Sequence, residues 1–392
     1  MSEAKKRLAI VTSHPIQYNA PWFKLLAGSG TIHPGVFYTW EQSAAGPKYD
    51  PDFKERIEWD IPLLEGYEYH FVKNKASDPG THHFRGLVNP TLNREIAEWR
   101  PDAILVYGWS FDSHLKCLRH FHRKTPILFR GDSTLLDERS GIRKHLRRWF
   151  LRWVYRHIDK ALYVGARNKE YFVMNGLREE QLVYAPHAVD NRRFGEPESR
   201  YAQQATAWRE KLGIGGTDVV LLFAGKLEPK KNPFFLLEIA GRVRDPQLKI
   251  IFAGAGVLEA DLRQAAGTDP RILFIGFQNQ QQMPVVYRLG DVYILPSRGP
   301  GETWGLGVNE AMASGSAIMM SEKAGGAVDL VEEGVNGIRF DPENGVEKCS
   351  GWVRRLLDDP SLLCTMKKAS RQRIASFSYQ RIMDAFLDPG LF

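Results

Sequence analysis

Short runs of apolar, often β-branched residues alternate with longer stretches of helical character along the whole chain. Leu8–Thr12 and Ala103–Tyr107 are examples in the first half, and Val219–Ala224 and Val292–Leu295 are examples in the second. These runs are apolar on both faces, which is typical of parallel strands covered by helices on both sides. Two such series, separated by the polar and weakly patterned segment Asn191–Thr217, predict an α/β fold with two doubly wound sheets.

The predicted domains divide the chain near residue 195. The first, a Rossmann-like domain, spans 1–195. The second, also a Rossmann-like domain, spans 196–375. Ligands of such sheets bind beyond the carboxyl ends of the strands, so two facing sheets predict a site in the cleft between them.

Composition supports two soluble domains. The 392 residues are 43% hydrophobic and 25% charged, which excludes a disordered or fibrous chain. The net charge of +7 suits nucleotide phosphates or an acidic membrane face, while zinc-finger and RRM patterns are missing, so we expect no nucleic-acid partner. Three cysteines without CxxC spacing predict neither a disulfide nor a zinc site and fit a cytoplasmic protein. The apolar run near the N-terminus is too short for a signal peptide.

The segment from Glu302 to Glu310 (ETWGLGVNE) carries the strongest chemical signal. It follows the predicted strand Val292–Leu295 and opens the next helix. Gly305 and Gly307 allow close approach at the helix start, where N–H groups and the helix dipole favour an anion. A diphosphate bound there would bring a ribose to Glu310 and a sugar to Glu302, because carboxylates accept hydrogen bonds from hydroxyls. The alternative is a helix-dipole role for Glu310 and a solvated Glu302.

A second signal follows the strand Val219–Ala224. Gly225 and Lys226 come directly after the strand, and Lys230 and Lys231 stand just before the next helix. Cations beside a glycine at a strand end suit a diphosphate, whose negative charge grows as a bond to it breaks. The alternative is a solvated lysine cluster.

The second half of the chain resembles glycosyltransferase family 4, the retaining, nucleotide-sugar-dependent enzymes of GT-B fold. The resemblance covers about Val219 to Pro342 and rests on segments in the family's order: FAGKLEPKKN, IIFAGAGVLEADL, ILFIGFQNQQQMPVVYRLGDVYILPS, GETWGLGVNEAMASG and GGAVDLVEEGVNGIRFDP. It implies that the two Rossmann-like domains face each other, the first (1–195) binding the acceptor and the second (196–375) the nucleotide-sugar donor. It also implies that a C-terminal helix at about 376–392 crosses back to the first domain.

The resemblance also implies a role for each matching position. Lys226 and Lys231 would clamp the donor diphosphate, Glu302 would contact the donor sugar, and Glu310 would hold the ribose hydroxyls. The remaining donor-binding positions are Gly225 after the strand, Phe277 and Gln278 beside the base, and Gly305, Leu306, Gly307 and Val308 at the helix start. The amides around Leu306, Gly307 and Val308 would bind the distal phosphate or the sugar. The reaction would retain the anomeric configuration, with the leaving phosphate oxygen deprotonating the acceptor, and would need neither a metal nor another cofactor.

The first domain departs from the family pattern. TSHPIQYNAP replaces the glycine-rich loop after the first strand, and FRGDS replaces the usual histidine segment. His14 and Asp132 stand at predicted strand ends. His14 is a candidate for orienting the acceptor or the donor phosphate, Asp132 for accepting a hydrogen bond from an acceptor hydroxyl, and Arg130 for binding a phosphate. The local alternatives are that His14 caps a helix and that Arg130 pairs with Asp132.

The stretch 141–158 combines cations with apolar residues. Its sequence, GIRKHLRRWFLRWVYRHI, predicts a basic amphipathic helix, which lies either on an anionic membrane or against the protein core with a solvated basic face. The first alternative would make the protein peripheral on the inner face of a membrane. The pairs His82/His83 and His120/His122 lack acids at ligand spacing and are interpreted as surface histidines.

The sequence therefore predicts a retaining, metal-independent glycosyltransferase. It would move a sugar from a nucleotide-sugar, UDP in preference to GDP, to a saccharide or lipid-linked hydroxyl acceptor in polysaccharide, glycolipid or glycoconjugate synthesis. The alternatives are a non-catalytic nucleotide-sugar-binding or interaction protein and a GT-B nucleotide-sugar epimerase.

Overall fold

The computed structural model describes residues 5–41, 60–136, 138, 141–195 and 200–392, together with the backbone of 48–50 and 55–57. Within it the chain forms two compact units. The first unit comprises Met1–Pro47, Ile61–Pro186 and Tyr379–Phe392, and the second comprises Lys48–Asp60 and His187–Ser378. The predicted boundary at 195/196 lies slightly after the Pro186/His187 division.

The strands, in chain order, are β1 (Lys6–Thr12), β2 (Ile32–Tyr38), β3 (Lys48–Asp50), β4 (Glu55–Ile57), β5 (Glu68–Phe71), β6 (Ala103–Tyr107), β7 (Ile127–Arg130), β8 (Lys160–Tyr163), β9 (Leu182–Tyr184), β10 (Val219–Ala224), β11 (Leu248–Ala253), β12 (Ile272–Gly276), β13 (Val292–Leu295), β14 (Ala317–Ser321) and β15 (Gly337–Phe340).

The α-helices, in chain order, are α1 (Ala20–Gly28), α2 (Leu92–Trp99), α3 (Asp112–Phe121), α4 (Ile142–Tyr155), α5 (Ala166–Met174), α6 (Asn191–Gly195), α7 (Arg200–Lys211), α8 (Phe234–Arg242), α9 (Glu259–Ala266), α10 (Met283–Leu289), α11 (Leu306–Ser314), α12 (Ala327–Leu330), α13 (Val346–Asp358), α14 (Pro360–Ile374) and α15 (Tyr379–Leu387).

The first unit is built on a parallel sheet in the order β5-β2-β1-β6-β7-β8-β9. Its central strand β1 pairs with β2 and β6 and buries Leu8 to Val11 completely, as expected for a strand covered on both faces. The C-terminal helix α15 belongs to this unit, where Phe386 stacks on Trp22 with ring centroids 5.3 Å apart.

Strand β2 is absent from the predicted series because its sequence, IHPGVFY, contains two strand breakers. Pro34 is tolerated because the pairing with β5 starts only at Gly35, so the missing amide falls outside that ladder. Gly35 is required for packing, since a Cβ there would lie 2.5 Å from the indole ring of Trp99. Tertiary contacts thus override the local preference.

The second unit is built on a parallel sheet in the order β12-β11-β10-β13-β14-β15. Central strand β10 is buried from Val219 to Phe223. The loops after β10 and β11 touch through backbone, because a Cβ on Gly254 would lie 2.0 Å from the Gly225 carbonyl oxygen. The Gly254-Ala-Gly256 turn therefore packs two loops together, and the predicted α/β sheet is confirmed here as in the first unit.

Candidate functional site

The candidate donor site lies at the carboxyl edge of the second sheet. Because all strands of this sheet are parallel, the segments after β12, β11, β10 and β13 lie side by side along one edge. These segments carry most of the residues that the sequence predicts for the donor. The geometry of this edge is described within the second unit alone.

Glu302 is held at this edge by two side chains. Lys231, at the end of the 3₁₀ turn Pro229–Lys231, places its Nζ 2.5 Å from Glu302 Oε2. Ser297, in the turn after β13, donates its hydroxyl to the same oxygen over 2.9 Å. Glu302 is 9% exposed, so it is not the solvated loop carboxylate of the alternative interpretation. The ion pair and the hydroxyl compensate for its burial.

The loop that carries Glu302 is anchored by a second lysine. Lys230 donates its Nζ to the Gly301 carbonyl oxygen over 3.1 Å, and Gly301 has a φ of 82°, a region in which glycine carries no steric penalty. Lys230 therefore acts on the backbone before Glu302, whereas Lys231 acts on its carboxylate. The two adjacent lysines therefore bind different groups, and the KK pair in the sequence does not show which lysine binds which group.

Glu310 is enclosed within α11 and is 3% exposed. The Tyr287 hydroxyl donates to Glu310 Oε2 over 2.7 Å. This bond satisfies a buried charge and fixes the direction of the carboxylate. Glu310 therefore has a protein partner besides any favourable interaction with the helix dipole.

The Tyr293 phenol lies close enough to Glu302 and Glu310 to interact electrostatically with both acids. Its hydroxyl donates to the Ala224 carbonyl oxygen over 3.2 Å, at the end of β10. Burial, together with the negative charges of Glu302 and Glu310, raises the pKa of Tyr293 far above its ordinary value of 10. The phenol therefore stays protonated and provides a neutral hydroxyl beside both carboxylates.

The two glycines at the start of α11 are required for different physical reasons. Gly305 has a φ of 101°, and a Cβ there would lie 2.6 Å from Leu295 Cδ2. A Cβ on Gly307 would lie 2.6 Å from the Tyr293 hydroxyl oxygen. Of the amides predicted to bind phosphate or sugar, that of Val308 already donates to the Gly305 carbonyl oxygen over 2.9 Å.

The remaining donor positions line the same edge. Gly225 and Lys226 follow β10 directly, and Gly225 has a φ of 156°. Phe277 and Gln278 follow β12, where Gln278 Nε2 donates to the Ile275 carbonyl oxygen over 2.6 Å. The Gln278 amide is thus partly committed to its own loop.

The first-domain candidates lie at the carboxyl edge of the other sheet. His14 follows β1, with its Nδ1 3.0 Å from the Ser13 hydroxyl and its ring 5.6 Å from that of Trp40. Asp132 follows β7 at the same edge. Arg130 is 4% exposed and donates to the Ala185 and Pro186 carbonyl oxygens over 2.8 and 3.0 Å, so it fixes the chain after β9.

The basic helix α4 divides its apolar residues between two environments. Leu151, Val154 and Tyr155 are buried, which follows the packed-helix alternative. Leu146 and Trp149, which the sequence also assigns to the apolar face, are 62% and 71% exposed. No helix in the described ranges is both long enough and apolar enough to cross a membrane.

The histidine pairs have neighbours that sequence spacing did not reveal. His82 and His83 lie beside Asp78, and one potential ligand atom of each of the three residues lies within 4.8 Å of the others. The prediction that this histidine pair lacks an acid at metal-ligand spacing is therefore wrong. All three are at or near the surface. His122 faces His157, with ring centroids 5.0 Å apart.

The carboxyl edge of the second sheet, which holds the candidate donor site, is called the donor edge below. Several residues that shape it were missed in the sequence. Tyr287 and Tyr293 lie within an apolar helix and an apolar strand, and no local pattern marks them as polar contacts. Asn309 is buried and connects the Trp304 indole, which donates to its Oδ1 over 2.9 Å, to the His187 carbonyl oxygen, 3.1 Å from its Nδ2. Its position inside the Glu302–Glu310 motif, directly before Glu310, is the signal that could have indicated Asn309.

Comparison with known proteins supports the family resemblance. Residues 204–373 match the family model described as "Glycosyl transferases group 1". A D-inositol 3-phosphate glycosyltransferase of Saccharomonospora viridis is 31% identical over 214 residues, which are 51% of this chain and 47% of the relative. Sulfoquinovosyl transferase SQD2 of Arabidopsis thaliana is 29% identical over 311 residues, 75% of this chain and 57% of the relative. The chain thus spans about half the length of these curated relatives.

Solved structures confirm the predicted GT-B fold. Anabaena Alr3699/HepE in complex with UDP has a TM-score of 0.71 at 18% identity, with 97% of this chain and 98% of that chain covered. A glycosyltransferase from Rickettsia africae has a TM-score of 0.73 at 14% identity, with 98% and 97% covered. At these identities the similarity concerns the fold alone.

Proposed function

We propose, from the match of residues 204–373 to the glycosyl transferases group 1 family and from the GT-B fold, that this protein transfers a sugar from a nucleotide-sugar to a hydroxyl acceptor. The observation that carries the proposal is the buried Glu302, held by Lys231 and Ser297 at the carboxyl edge of the second sheet. A buried acid with two side-chain donors at this edge is suited to a polar ligand with several hydroxyl groups.

The arrangement suggests how a donor would be bound. The diphosphate would interact with Lys226 and Lys231 and with the amino end of α11, where the helix dipole favours negative charge. Lys231 would then be shared between Glu302 and phosphate, so the lysine links the sugar position to the leaving group. Glu310, directed by Tyr287, would accept hydrogen bonds from the ribose.

The proposed transfer retains the anomeric configuration. The bond between the anomeric carbon and the phosphate oxygen breaks, and its electron pair stays on that oxygen. The acceptor oxygen forms the new bond on the same face, and its proton passes to the departing phosphate. Lys226 and Lys231 would stabilise the charge that grows on the diphosphate. The reaction as proposed uses no metal.

UDP is the proposed carrier in preference to GDP. The support comes from the Anabaena neighbour, whose solved structures contain UDP, UDP with glucose, and UDP-glucose. The proposed acceptor is a saccharide or a lipid-linked hydroxyl, oriented by His14 and Asp132 at the edge of the first sheet. We further propose that α4 brings the protein to an anionic membrane surface.

Glu302→Gln tests the proposal at its central residue. The substitution keeps the size but removes the charge that Lys231 and Ser297 compensate. We expect donor turnover to fall by about a hundredfold, as when one preorganised electrostatic contact is removed. The matched control is Glu238→Gln, which changes an exposed acid of α8. Turnover should be measured with UDP- and GDP-sugars, and NMR of the product should show the donor's anomeric configuration.

Other results would favour the alternative functions. Nucleotide-sugars that stabilise the protein against heat, without turnover by wild type on any acceptor, would indicate a binding protein. Interconversion of the donor sugar without an acceptor would indicate an epimerase. Unchanged turnover and donor binding in Glu302→Gln would refute the proposed site.

A further inference from the structure

A basic surface pocket lies in the first unit, between α3 and the end of α4. Its volume is about 520 Å³. None of the described residues that line it is acidic. The residues that matter for its chemistry are Arg119, His122, Trp153, Arg156 and His157. These residues play no part in the donor site described above.

The two arginines of this pocket are directed by an aromatic ring rather than by acids. The Arg119 and Arg156 guanidinium carbons lie 5.4 and 5.9 Å from the centre of the Trp153 ring. Neither arginine has a carboxylate partner among the described residues, whereas neighbouring Lys116 is paired with Asp112 over 2.7 Å. Cation–π contacts orient guanidinium groups but leave their charge uncompensated. The pocket therefore presents two fixed positive charges.

Two histidines form the floor of the pocket. His157 donates its Nδ1–H to the Val154 carbonyl oxygen over 3.0 Å. Burial, together with the nearby guanidinium charges of Arg156 and Arg119, lowers the pKa of His157. His122 Nδ1 is enclosed and has no hydrogen-bond partner among the described residues. An anion would be stabilised in this pocket, because it would offset the repulsion between the Arg119 and Arg156 guanidinium charges.

An exposed apolar stripe on α4 leads to the pocket. Ile142, Leu146 and Trp149 are 77%, 62% and 71% exposed and lie on one face, since they are spaced by four and three residues. Trp153, four residues further on, continues this face and lines the pocket. Large apolar side chains aligned in this way on a charged helix are typical of a surface that contacts a membrane or a partner.

We infer that this pocket binds the phosphomonoester headgroup of an anionic lipid while the stripe Ile142–Leu146–Trp149 inserts into the bilayer surface. The pocket alone would suit free phosphate, and the stripe alone would suit any apolar partner. A lipid surface offers partners for both within the length of one helix, because phosphate groups lie at the interface and hydrocarbon lies just beneath them. The inference is independent of glycosyl transfer, so its test needs no donor or acceptor.

Vesicle co-sedimentation of the full chain tests the inference. The vesicles are phosphatidylcholine alone, phosphatidylcholine with phosphatidylglycerol, and phosphatidylcholine with phosphatidic acid, the last two matched in surface charge. We expect binding to both anionic vesicles and stronger binding to phosphatidic acid, which carries the phosphomonoester. Calorimetry with inorganic phosphate measures the pocket without a bilayer.

Two double variants separate the pocket from the stripe. Arg119→Ala with Arg156→Ala should weaken vesicle binding by about 25-fold, since each cation near an anionic surface contributes about a fivefold effect, and should abolish the preference for phosphatidic acid. Its control, Arg242→Ala with Arg354→Ala, removes the same charge from exposed sites in the second unit. Leu146→Ser with Trp149→Ser should reduce binding to both anionic vesicles and leave phosphate binding unchanged.

Four results would overturn the inference. The first is equal binding of the wild type to neutral and anionic vesicles, and the second is no vesicle binding at all. The third is phosphate binding without vesicle binding, which would mark a site for a soluble anion. The fourth is an effect of the pocket variant no larger than that of its charge-matched control. All substituted side chains are exposed, so circular dichroism should show wild-type folding in each variant.

Discussion

A buried histidine makes the stability of the first unit depend on pH. His114 lies in α3 with no exposed surface. Its Nδ1 donates to the Tyr107 carbonyl oxygen over 2.7 Å, and its Nε2 lies 3.2 Å from the Thr39 hydroxyl. Because a carbonyl oxygen only accepts, Nδ1 carries a proton in this hydrogen bond. Burial lowers the pKa of His114 from 6.5 to about 4.

The size of the effect follows from these two pKa values. His114 binds a proton less readily in the folded state than in the unfolded state. Its contribution to the free energy of unfolding is therefore complete above pH 6.5 and is lost as the pH falls towards 4. One pKa unit corresponds to about 1.4 kcal/mol, so below the lower pKa the full loss of stability is about 3 kcal/mol. At about pH 5 the expected loss is about 2 kcal/mol.

Urea unfolding of wild type and His114→Gln at about pH 7.5 and about pH 5 tests this reasoning. The variant should be less stable at the higher pH, but its stability should fall by about 2 kcal/mol less between the two values. His145→Gln, which changes an exposed histidine, should reproduce the wild-type dependence. If wild type and His114→Gln lose the same free energy of unfolding between the two pH values, His114 is not the cause of the pH dependence.

The donor edge yields two further predictions. Gly307→Ala should destabilise the protein by about 1–3 kcal/mol and weaken donor binding, because its Cβ would lie 2.6 Å from the Tyr293 hydroxyl oxygen. Gly351→Ala, where space is open, should be neutral or stabilising by up to about 1 kcal/mol in the same urea and calorimetric measurements, and similar costs for both would contradict the packing argument. Tyr287→Phe should cost about 1.5–3 kcal/mol in urea unfolding, because buried Glu310 loses the hydrogen bond from the Tyr287 hydroxyl. A cost below about 0.5 kcal/mol would show that the carboxylate is satisfied without it.

Much of the fold could be predicted because parallel strands have a local signature. Runs such as Leu8–Thr12 and Val219–Ala224 are apolar at every position except Thr12, and the structure has strands at both places. β2 could not be predicted in the same way. Its Pro34 and Gly35 are tolerated only because of the pairing with β5 and the packing of Trp99, which are contacts between distant parts of the chain.

The chemistry of the donor edge was partly predictable for the same reason. Glu302 and Lys231 stand out in the sequence because each follows a strand and neighbours a helix start. Their pairing across 71 residues was not predictable, since spacing along the chain does not reveal which strand ends are neighbours. Tyr293 was missed because a tyrosine in an apolar strand resembles any other core residue until its hydroxyl is placed beside two acids.

The amphipathic pattern of α4 shows where local information ends. Periodicity identifies a helix with apolar and basic residues, and the cations and aromatics are evident from composition. Which apolar residues are buried depends on the rotation of the helix about its axis, and that rotation is set by the core of the first unit. Leu151 and Val154 pack inward while Leu146 and Trp149 face solvent, because side-chain burial is a property of the assembled layers rather than of any single segment.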